Sequence, residues 1–375
     1  MILLIAAITV TASFEGGSVG RVERAAPNHL RCAVAGQSDQ DGRNRQASWY
    51  YFRLDNLPRE EVRIDLTNLV GEYNHRPGAH AVTPNTRPVY SYDNRAWTHF
   101  TDQDTSWDEK AVELTLRFRP RRGRMWIAHV PPYTGAHLAA LLKDIEGHPH
   151  LKSETAGPVR LLTVTDPAPA EGKKVIWIMA RQHAWEAGTS WVAEGALRLL
   201  LSDSAEARQL RRAAIWKFFP MADPGGVARG AVRFNAHGYD VNRHWDKVDP
   251  ELMPEVAAMK NAIYGWPGRI DLLLALHNQE AGDYIQGPKL EIAQRLFEAL
   301  DRTTSFSSKS GARVAPGHTT VNEALWDERK LPAFLMELGV QRNARLGRPR
   351  TTADNLQFGE ELVRACHRSL AVAAR

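Results

Sequence analysis

A histidine and a glutamate stand three residues apart in the segment RQHAWEAGTSWVAEG, directly after the apolar run KKVIWIMA. They are His183 and Glu186, and this spacing lets two side chains converge on one point. Two more polar residues interrupt apolar runs, since His277 follows DLLLAL and Glu337 lies within FLMELGV. A carboxylate is costly to bury without a partner, so Glu337 in particular indicates a functional site.

Imidazole and carboxylate side chains together indicate zinc chemistry. Two histidines and one carboxylate form a common catalytic zinc set, which leaves the fourth position open for water. Zinc lowers the pKa of water towards ~7, so a further carboxylate can take its proton at neutral pH. The pair of His183 and Glu186, taken alone, has an alternative interpretation. His183 would be a core histidine with its hydrogen bonds satisfied, and Glu186 would be a charge favoured by the dipole of a following helix.

The segment between the ligand candidates, PMADPGGVARGAVRFNAHGYDVNRHWD, is rich in Gly, Asn and Arg and is predicted to be a loop. Asn242 and Arg243 form a donor pair able to hold a carboxylate, because guanidinium binds carboxylate in a bidentate fork. Arg233 offers a second guanidinium, suited to a developing oxyanion. The alternative for each arginine is an ordinary surface position.

The elements that must position these residues change type along the chain. Residues 1–125 contain short alternating runs separated by Asn, Asp, Gly and Pro, which predicts an antiparallel β-sandwich. From about residue 126, buried strands alternate with helical patterns, which predicts an α/β domain on a largely parallel or mixed sheet. Thr189 and Ser190 are predicted to cap the helix after the His–Glu pair, and Pro250 to stand near the start of a later one. Ligands of such sheets gather beyond the carboxyl ends of the strands, where the four polar residues are expected.

Composition narrows the function classes. A chain of 375 residues suggests two domains. The net charge of +5 comes from Lys and Arg spread along the chain, which does not favour a nucleic-acid partner. Cys32 and Cys366 lie at opposite ends, which excludes a Cys-rich zinc site and fits a reducing compartment such as the cytoplasm.

The first residues, MILLIAAITVTAS, are expected to form a buried strand; the alternative is a signal peptide and export. No later segment reaches the ~18 apolar residues of a membrane helix, so no membrane partner is expected.

Several segments resemble the zinc carboxypeptidases, specifically a bacterial member of the cytosolic carboxypeptidase (deglutamylase-like) branch. RQHAWEAGTSWVAEG resembles H-P-G-E-x-x-x-S-W with Ala184 and Trp185 in place of Pro-Gly, and the Arg-rich loop resembles N-P-D-G-V…G-x-x-R…D-L-N-R-x-W. DLLLALHNQE resembles D-x-H-G-H with Gln279 in place of the second His, and AFLMELG resembles T-x-E-S. SFEGG, SWYYFRLDN, TRPVYSYDNRAW and WIAHVPPYTGAHL resemble the β-sandwich of this branch, so the resemblance spans nearly the whole chain.

The resemblance implies a mixed sheet flanked by helices, preceded by an antiparallel β-sandwich, with domains at residues 1–125 and 126–375. It implies one zinc ion per chain, and it assigns the site residues. The implied roles are metal ligand for His183, Glu186 and His277, catalytic base for Glu337, oxyanion stabilisation for Arg233, and binding of the terminal carboxylate for Asn242 and Arg243.

The implied activity is hydrolysis of the C-terminal peptide bond of peptides or proteins. SSKSGARVAPG resembles K-x-G-T-A-R-V, which places Arg313 in the pocket for the departing side chain and implies a preference for Glu or Asp. No tyrosine follows Tyr284, so no counterpart of the family's mobile tyrosine is assigned. Two alternatives stay open, a zinc-dependent deacylase of N-acyl amino acids and a catalytically silent binder of acidic C-terminal tails. The oligomeric state is left open.

Overall fold

The structure is a computed structural model, and its contacts group the chain into two units. The described residues are 7–73, 75–167, 172–314 and 317–371. The units are Met1–Thr134 with Gly225–Gly238, and Gly135–Pro224 with Tyr239–Arg375. The domain boundary between residues 125 and 126 stays a prediction.

The first unit is a β-sandwich of two five-stranded sheets and a small hairpin. Its strands are β1 Thr9–Thr11, β2 Val22–Ala26, β3 His29–Ala33, β4 Tyr51–Asp55, β5 Val62–Thr67, β6 Gly71–Tyr73, β7 Arg76–Ala79, β8 Val89–Ser91, β9 Thr98–His99, β10 Thr105–Asp108, β11 Glu113–Phe118 and β12 Arg124–Ala128. The sheets have the orders β1-β4-β12-β8-β9 and β10-β11-β5-β3-β2, and β6 pairs with β7. Both sheets contribute alternate residues to one apolar core, which includes Phe52 and Leu54 of β4 and Ile64 and Leu66 of β5. The pairing is antiparallel as predicted, except that β3 and β5 run parallel.

Within the predicted first strand, β1 occupies Thr9–Thr11, and residues 1–6 lie outside the described residues. Within the described residues, no helix combines the length and the apolar character needed to cross a bilayer.

The second unit is built on an eight-stranded mixed sheet of order β13-β14-β16-β15-β17-β20-β18-β19. The strands are β13 Leu151–Ala156, β14 Val159–Val164, β15 Lys174–Ala180, β16 Ala214–Phe219, β17 Leu272–Gln279, β18 Tyr284–Gly287, β19 Arg313–Val314 and β20 Ala333–Gly339. The helices of the chain are α1 Gly135–Asp144, α2 Ala187–Leu200, α3 Ala205–Ala213, α4 Pro224–Arg229, α5 Pro254–Tyr264, α6 Glu291–Thr303, α7 Val321–Arg329 and α8 Thr352–Leu370. Strands β16, β15, β17 and β20 are parallel neighbours, so their carboxyl ends share one edge.

The central strands are apolar throughout because helices cover both faces of the sheet. On one face, Ile176 and Ile178 of β15 pack in a core shared with α2, α6 and α8. On the other face, Val175 and Trp177 pack in a second core shared with α5 and α7. This face, which we call the α5/α7 face, carries the candidate site.

Helices α2 and α8 approach each other closely through glycine. A Cβ on Gly195 of α2 would lie 1.9 Å from the Leu356 carbonyl oxygen, and one on Gly359 of α8 would lie 2.0 Å from that of Val192. Side chains at these two positions would therefore separate the helices, which form part of the layer beneath the site.

Several details differ from the sequence predictions. Helix α4 lies within the segment predicted to be a loop, and the residues of β1 are exposed or half-buried rather than buried. Helix α2 begins at Ala187, so Thr189 and Ser190 lie inside it and do not cap it. Helix α3, capped by Ser204, was not predicted from its polar sequence. Helix α5 begins at Pro254 rather than near Pro250, and proline suits this first turn because it lacks an N–H to donate.

Candidate metal centre and active site

Three buried side chains from two strand ends converge on one point. His183 and Glu186 lie in the turn between β15 and α2, and His277 lies in β17, the parallel neighbour of β15. One ligand atom from each residue lies within 4.8 Å of the others. All three are no more than 2% exposed, so the structure brings together the three residues predicted to bind zinc.

Both histidines turn the same ring nitrogen towards Glu186. His183 Nδ1 lies 2.6 Å from Glu186 Oε1, and His277 Nδ1 lies 3.0 Å from Glu186 Oε2. The opposite nitrogens face acceptors outside the cluster: His183 Nε2 lies 2.9 Å from Asp240 Oδ1, and His277 Nε2 lies 3.1 Å from Gln182 Oε1. An Nε2–H donated outward leaves an Nδ1 lone pair directed inward, which is the state a metal ligand needs.

Glu186 occupies the cap position of α2 but serves the cluster instead. Among the described residues its carboxylate accepts no capping hydrogen bond from α2 and contacts the two histidines. Burial alone would raise the pKa of Glu186, but the adjacent His183 and His277 outweigh burial and hold the pKa below its ordinary value. The carboxylate is therefore charged. Its contacts with both histidines distinguish Glu186 from an ordinary helix-terminal charge.

The turn that presents His183 and Glu186 is held by buried polar groups. Arg181 has a φ of 66°, a left-handed conformation that ends β15 sharply. Its N–H donates to Thr189 Oγ1 at 3.0 Å, and its Nε donates to the Ala184 carbonyl oxygen at 2.8 Å. A Cβ on Gly188 would lie 2.8 Å from Asn278 Oδ1, so glycine allows α2 to start beside the end of β17. These contacts explain why Gly188 and Thr189 follow the ligands in the sequence, although both residues lie in α2 and not in the turn itself.

Glu337 lies beside the cluster on the α5/α7 face. It pairs with His277 in the parallel register of β17 and β20, and paired residues of neighbouring strands point to the same face. Its neighbours Met336 and Leu338 are fully buried on the opposite face, whereas Glu337 is partly exposed. A carboxylate next to the ligands and open to solvent can reach a water molecule there.

Asp240 connects the segment of Asn242 and Arg243 to the candidate metal ligands. Asp240 Oδ1 accepts the Asn242 backbone N–H at 2.8 Å as well as facing His183 Nε2. Asn242 is buried, with Oδ1 accepting the Val321 N–H at 3.0 Å and Nδ2 lying 3.3 Å from His277 Nε2. Arg243 is half-buried and donates from Nη1 to the Asn242 carbonyl oxygen.

Arg233 belongs to the first unit, within Gly225–Gly238. There, Gln37 Oε1 accepts the backbone N–H groups of Val232, Arg233 and Phe234 at 2.7–3.0 Å. Gln37 also donates to the Phe234 carbonyl oxygen. The backbone around Arg233 is therefore well ordered, and a role of Arg233 in stabilising an oxyanion stays a prediction.

Arg313 is exposed on β19, and its guanidinium lies 4.2 Å from the ring centroid of Tyr284 on β18. Burial raises the pKa of Tyr284, and Glu337 and Glu186 raise it further, while Arg313 and Arg243 act in the opposite direction. The phenol is therefore a neutral donor, and the residues predicted as base, ligand and substrate-binding cations are close enough to affect it.

Four residues near the cluster were not assigned from the sequence: Gln182, Asp240, Glu280 and Tyr284. Asp240 is the Asp of the D-V-N-R segment and Glu280 stands three residues after His277, so spacing could have found both. Burial and the negative charge of Glu186 raise the pKa of Glu280 to about 8. Gln182 stands next to His183, but its contact with His277 depends on the pairing of distant strands, as does the place of Tyr284 beside Glu337.

The donor set fits zinc. Two imidazole nitrogens and one carboxylate are directed at a common point, and each imidazole is held from behind by an oxygen acceptor. This is the usual arrangement of a catalytic zinc site with outer residues that fix the histidine tautomers.

Profiles of two protein families match the chain. The cytosolic carboxypeptidase N-terminal domain matches residues 10–130, and the zinc carboxypeptidase domain matches residues 151–280. The second match includes the three candidate ligands and ends before β19 and β20, which carry Arg313 and Glu337.

Individual proteins give the same picture. A Zymomonas mobilis protein is 27% identical over 302 residues, which cover 79% of this chain and 74% of that one. Cytosolic carboxypeptidase 3 of Mus musculus is 27% identical over 278 residues, covering 67% of this chain but 27% of the mouse protein, so the chain spans about a quarter of that relative. The crystal structure of a metallo-carboxypeptidase from Burkholderia cenocepacia has the same fold, with a TM-score of 0.85 and 22% identity over 96% of this chain and 98% of that one.

Proposed function

We propose that the chain is a zinc carboxypeptidase that removes C-terminal residues from peptides or proteins, because it matches the zinc carboxypeptidase domain over residues 151–280 and the cytosolic carboxypeptidase N-terminal domain over residues 10–130. The observation that carries this proposal is the buried cluster of His183, Glu186 and His277, with Glu337 in register beside it. We assign residues 1–125 to the N-terminal domain and residues 126–375 to the catalytic domain.

The chemistry follows from the residues present. Zinc held by His183, Glu186 and His277, one ion per chain, would polarise the scissile carbonyl and acidify the attacking water. The Glu337 carboxylate accepts a proton from that water and passes it to the departing amine. Arg233 is assigned to the oxyanion of the tetrahedral intermediate.

Selection of the chain end is assigned to Asn242 and Arg243. Arg243 is half-buried next to the cluster and can form a bidentate pair with a carboxylate. Asn242 is fixed in orientation by the Val321 N–H, and its Nδ2 carries N–H groups that can donate to a carboxylate. Binding by this pair requires a free terminal carboxylate on the substrate. This requirement distinguishes a carboxypeptidase from an endopeptidase.

We expect amidation of the substrate's C-terminus to lower kcat/KM by roughly five- to 150-fold or more. Without the terminal carboxylate, the half-buried Arg243 guanidinium is left unpaired, at about 1–3 kcal/mol or more. The measurement compares initial rates on two peptides that differ only in this group. Equal rates would contradict the assignment of Asn242 and Arg243.

Two variants localise the effect. In Arg243→Ala, the difference between the free and amidated peptides should shrink, because the free peptide alone loses a partner. Arg302→Ala, which removes an exposed arginine of α6, should keep the difference. A comparison with N-acyl amino acids of the same C-terminal residue separates the carboxypeptidase from the deacylase alternative.

We further propose that the departing residue is acidic, Glu or Asp. Arg313 would pair with its side-chain carboxylate, through two charge-assisted hydrogen bonds. Arg313 and Arg243 are both close enough to Tyr284 to lower its pKa, which supports a site with two cations, one for each carboxylate of a C-terminal glutamate.

Arg313→Ala is expected to lower kcat/KM for a Glu-ended peptide by about ten-fold, the value of a charge-assisted hydrogen bond of ~1.4 kcal/mol. The loss is smaller than for a buried cation because Arg313 is exposed. Peptides ending in Glu, Asp, Leu, Phe and Lys are ranked by kcat/KM for both proteins. Lys309→Ala, which removes an exposed cation from the same segment, is the control. A wild-type preference for Leu or Lys would reject the acidic pocket and leave the zinc chemistry intact.

We propose a cytoplasmic location, with peptide or protein C-termini as the partners. The name of the mouse relative supports this location, as do Cys32 and Cys366, which are both free thiols and buried.

A further inference from the structure

We infer that Tyr284 is a specificity-determining residue of the proposed site, which acts by holding the Arg313 guanidinium against its ring in position for an acidic side chain. This inference rests on the proposed preference for acidic C-terminal residues. Tyr284 is a positioning residue in this proposal, since it acts through Arg313.

The first support is the order of residues across the sheet. Strands β17, β20, β18 and β19 are consecutive neighbours. His277 pairs with Glu337, Glu337 pairs with Tyr284, and Arg313 pairs with Gln286, two residues beyond Tyr284 on the same face. Since paired residues share a face, the four strands present one row of side chains on the α5/α7 face. The row of His277, Glu337, Tyr284 and Arg313 spans about 14 Å, from three strand spacings of ~4.8 Å.

Burial on the opposite face confirms this geometry. Ile285, which lies between Tyr284 and Gln286, packs in the core shared with α2, α6 and α8. Ala312, the neighbour of Arg313, packs against the same core. Tyr284 and Arg313 must therefore point to the α5/α7 face, where the metal ligand and the base lie. The row leads outward from the metal ligand to the base, then to the phenol and the guanidinium.

The second support is the contact between the last two members of the row. The Arg313 guanidinium carbon lies 4.2 Å from the Tyr284 ring centroid, well within the ~6 Å of a cation–π interaction. Arg313 stands on a two-residue strand and is exposed, and its Nε donates to Ser310 Oγ at 3.2 Å. A long exposed side chain on so short a strand would sample many rotamers, and the ring restricts it together with the hydrogen bond to Ser310.

The arrangement gives the guanidinium a defined use. A guanidinium that lies flat on a ring keeps its N–H groups at the edge, where they can meet a carboxylate in a bidentate pair. Arg243, Glu337 and Arg313 are all close enough to the Tyr284 phenol to affect its pKa, so the assigned binding group for the terminal carboxylate and the Arg313 cation are both in the neighbourhood of the ring. A C-terminal residue with a second carboxylate would meet a preorganised cation, whereas an apolar residue would gain nothing from it.

The experiment compares Tyr284→Leu and Tyr284→Phe by the ratio of kcat/KM for a Glu-ended peptide to that for the matching Leu-ended peptide. Tyr284→Leu removes the aromatic face, and we expect the ratio to fall about 3- to 10-fold, which is within the range that cation–π interactions give and no more than the loss expected for Arg313→Ala. Tyr284→Phe keeps the aromatic face, and the ratio should stay within about two-fold of wild type. General damage to the enzyme would lower kcat/KM for both peptides and would cancel in their ratio. Such damage is detected separately, from kcat/KM for the Leu-ended peptide and from the zinc content.

A double variant connects the effect to Arg313. In the Arg313→Ala background, Tyr284→Leu should change the ratio by less than about two-fold, because the cation to be positioned is gone. If Tyr284→Leu keeps the wild-type ratio, or lowers it equally in both backgrounds, Tyr284 does not act through Arg313. A Tyr284→Phe variant as unselective as Tyr284→Leu would also reject the inference, since the ring would then not be the active feature.

Failure of the proposed function has a different signature. If the acidic preference itself is wrong, Arg313→Ala alone leaves the ratio unchanged. If only the inference about Tyr284 is wrong, Arg313→Ala lowers the ratio and Tyr284→Leu does not.

Discussion

Glu337→Gln is expected to lower kcat by at least about 10²-fold while the protein keeps its zinc. Glutamine has the size and shape of glutamate but cannot accept a proton, and loss of general-base catalysis costs 10² or more. The ligands His183, Glu186 and His277 are untouched, and Glu337 lies in β20 with buried neighbours on the opposite face. Metal analysis together with steady-state kinetics on a free-ended peptide measures both quantities.

Glu280 provides the sharpest comparison for Glu337. It is another nearby carboxyl that the cluster of ligands does not include, and it is close enough to Glu186 for their charges to interact. It lies outside the row that contains Glu337. Glu280→Gln should therefore lower kcat far less than Glu337→Gln does. The reverse order would make Glu280 the base, and near-normal turnover by Glu337→Gln would make Glu337 a structural acid.

His277→Ala is expected to lower bound zinc and activity together, with residual kcat/KM below about 1% of wild type. Removal of one of three protein ligands leaves two, and the buried Glu186 carboxylate loses the imidazole 3.0 Å away. Zinc content after dialysis against a chelator, followed by activity with and without added zinc, measures the effect. His367→Ala on α8 changes a histidine distant in sequence from the cluster and serves as the control.

Two results would contradict the ligand assignment. One is full activity of His277→Ala after chelator treatment. The other is wild-type zinc content with activity lost, which would give His277 a role other than binding the metal.

Much of the second unit could be predicted from the sequence because its strands are apolar on both faces. Each long apolar run between turn residues had to be a buried strand, and the helices between them had to cover the sheet. The prediction of caps at Thr189 and Ser190 was wrong, because Glu186 takes the cap position for a metal-binding turn and the helix starts earlier. In the first unit, alternation predicted the sandwich but could not show that β3 and β5 run parallel.

The sequence by itself determined the chemistry of the candidate site. Histidine and glutamate at strand ends indicate zinc-dependent hydrolysis before any fold is known. The residues concerned are His183, Glu186, His277 and Glu337. Side-chain type and position in an apolar run are local properties, and in a parallel sheet the strand ends must meet at one edge.

The tertiary structure decided which atoms face inward and which neighbours hold them. Asp240 and Gln182 select the ring nitrogens of the two histidines, and they do so through contacts across 57 and 95 residues. Tyr284 reached the row beside Glu337 only because β18 turns back antiparallel along β20. Register between distant strands depends on the packing of whole faces, and a shift by one residue would point Tyr284 and Arg313 away from the site.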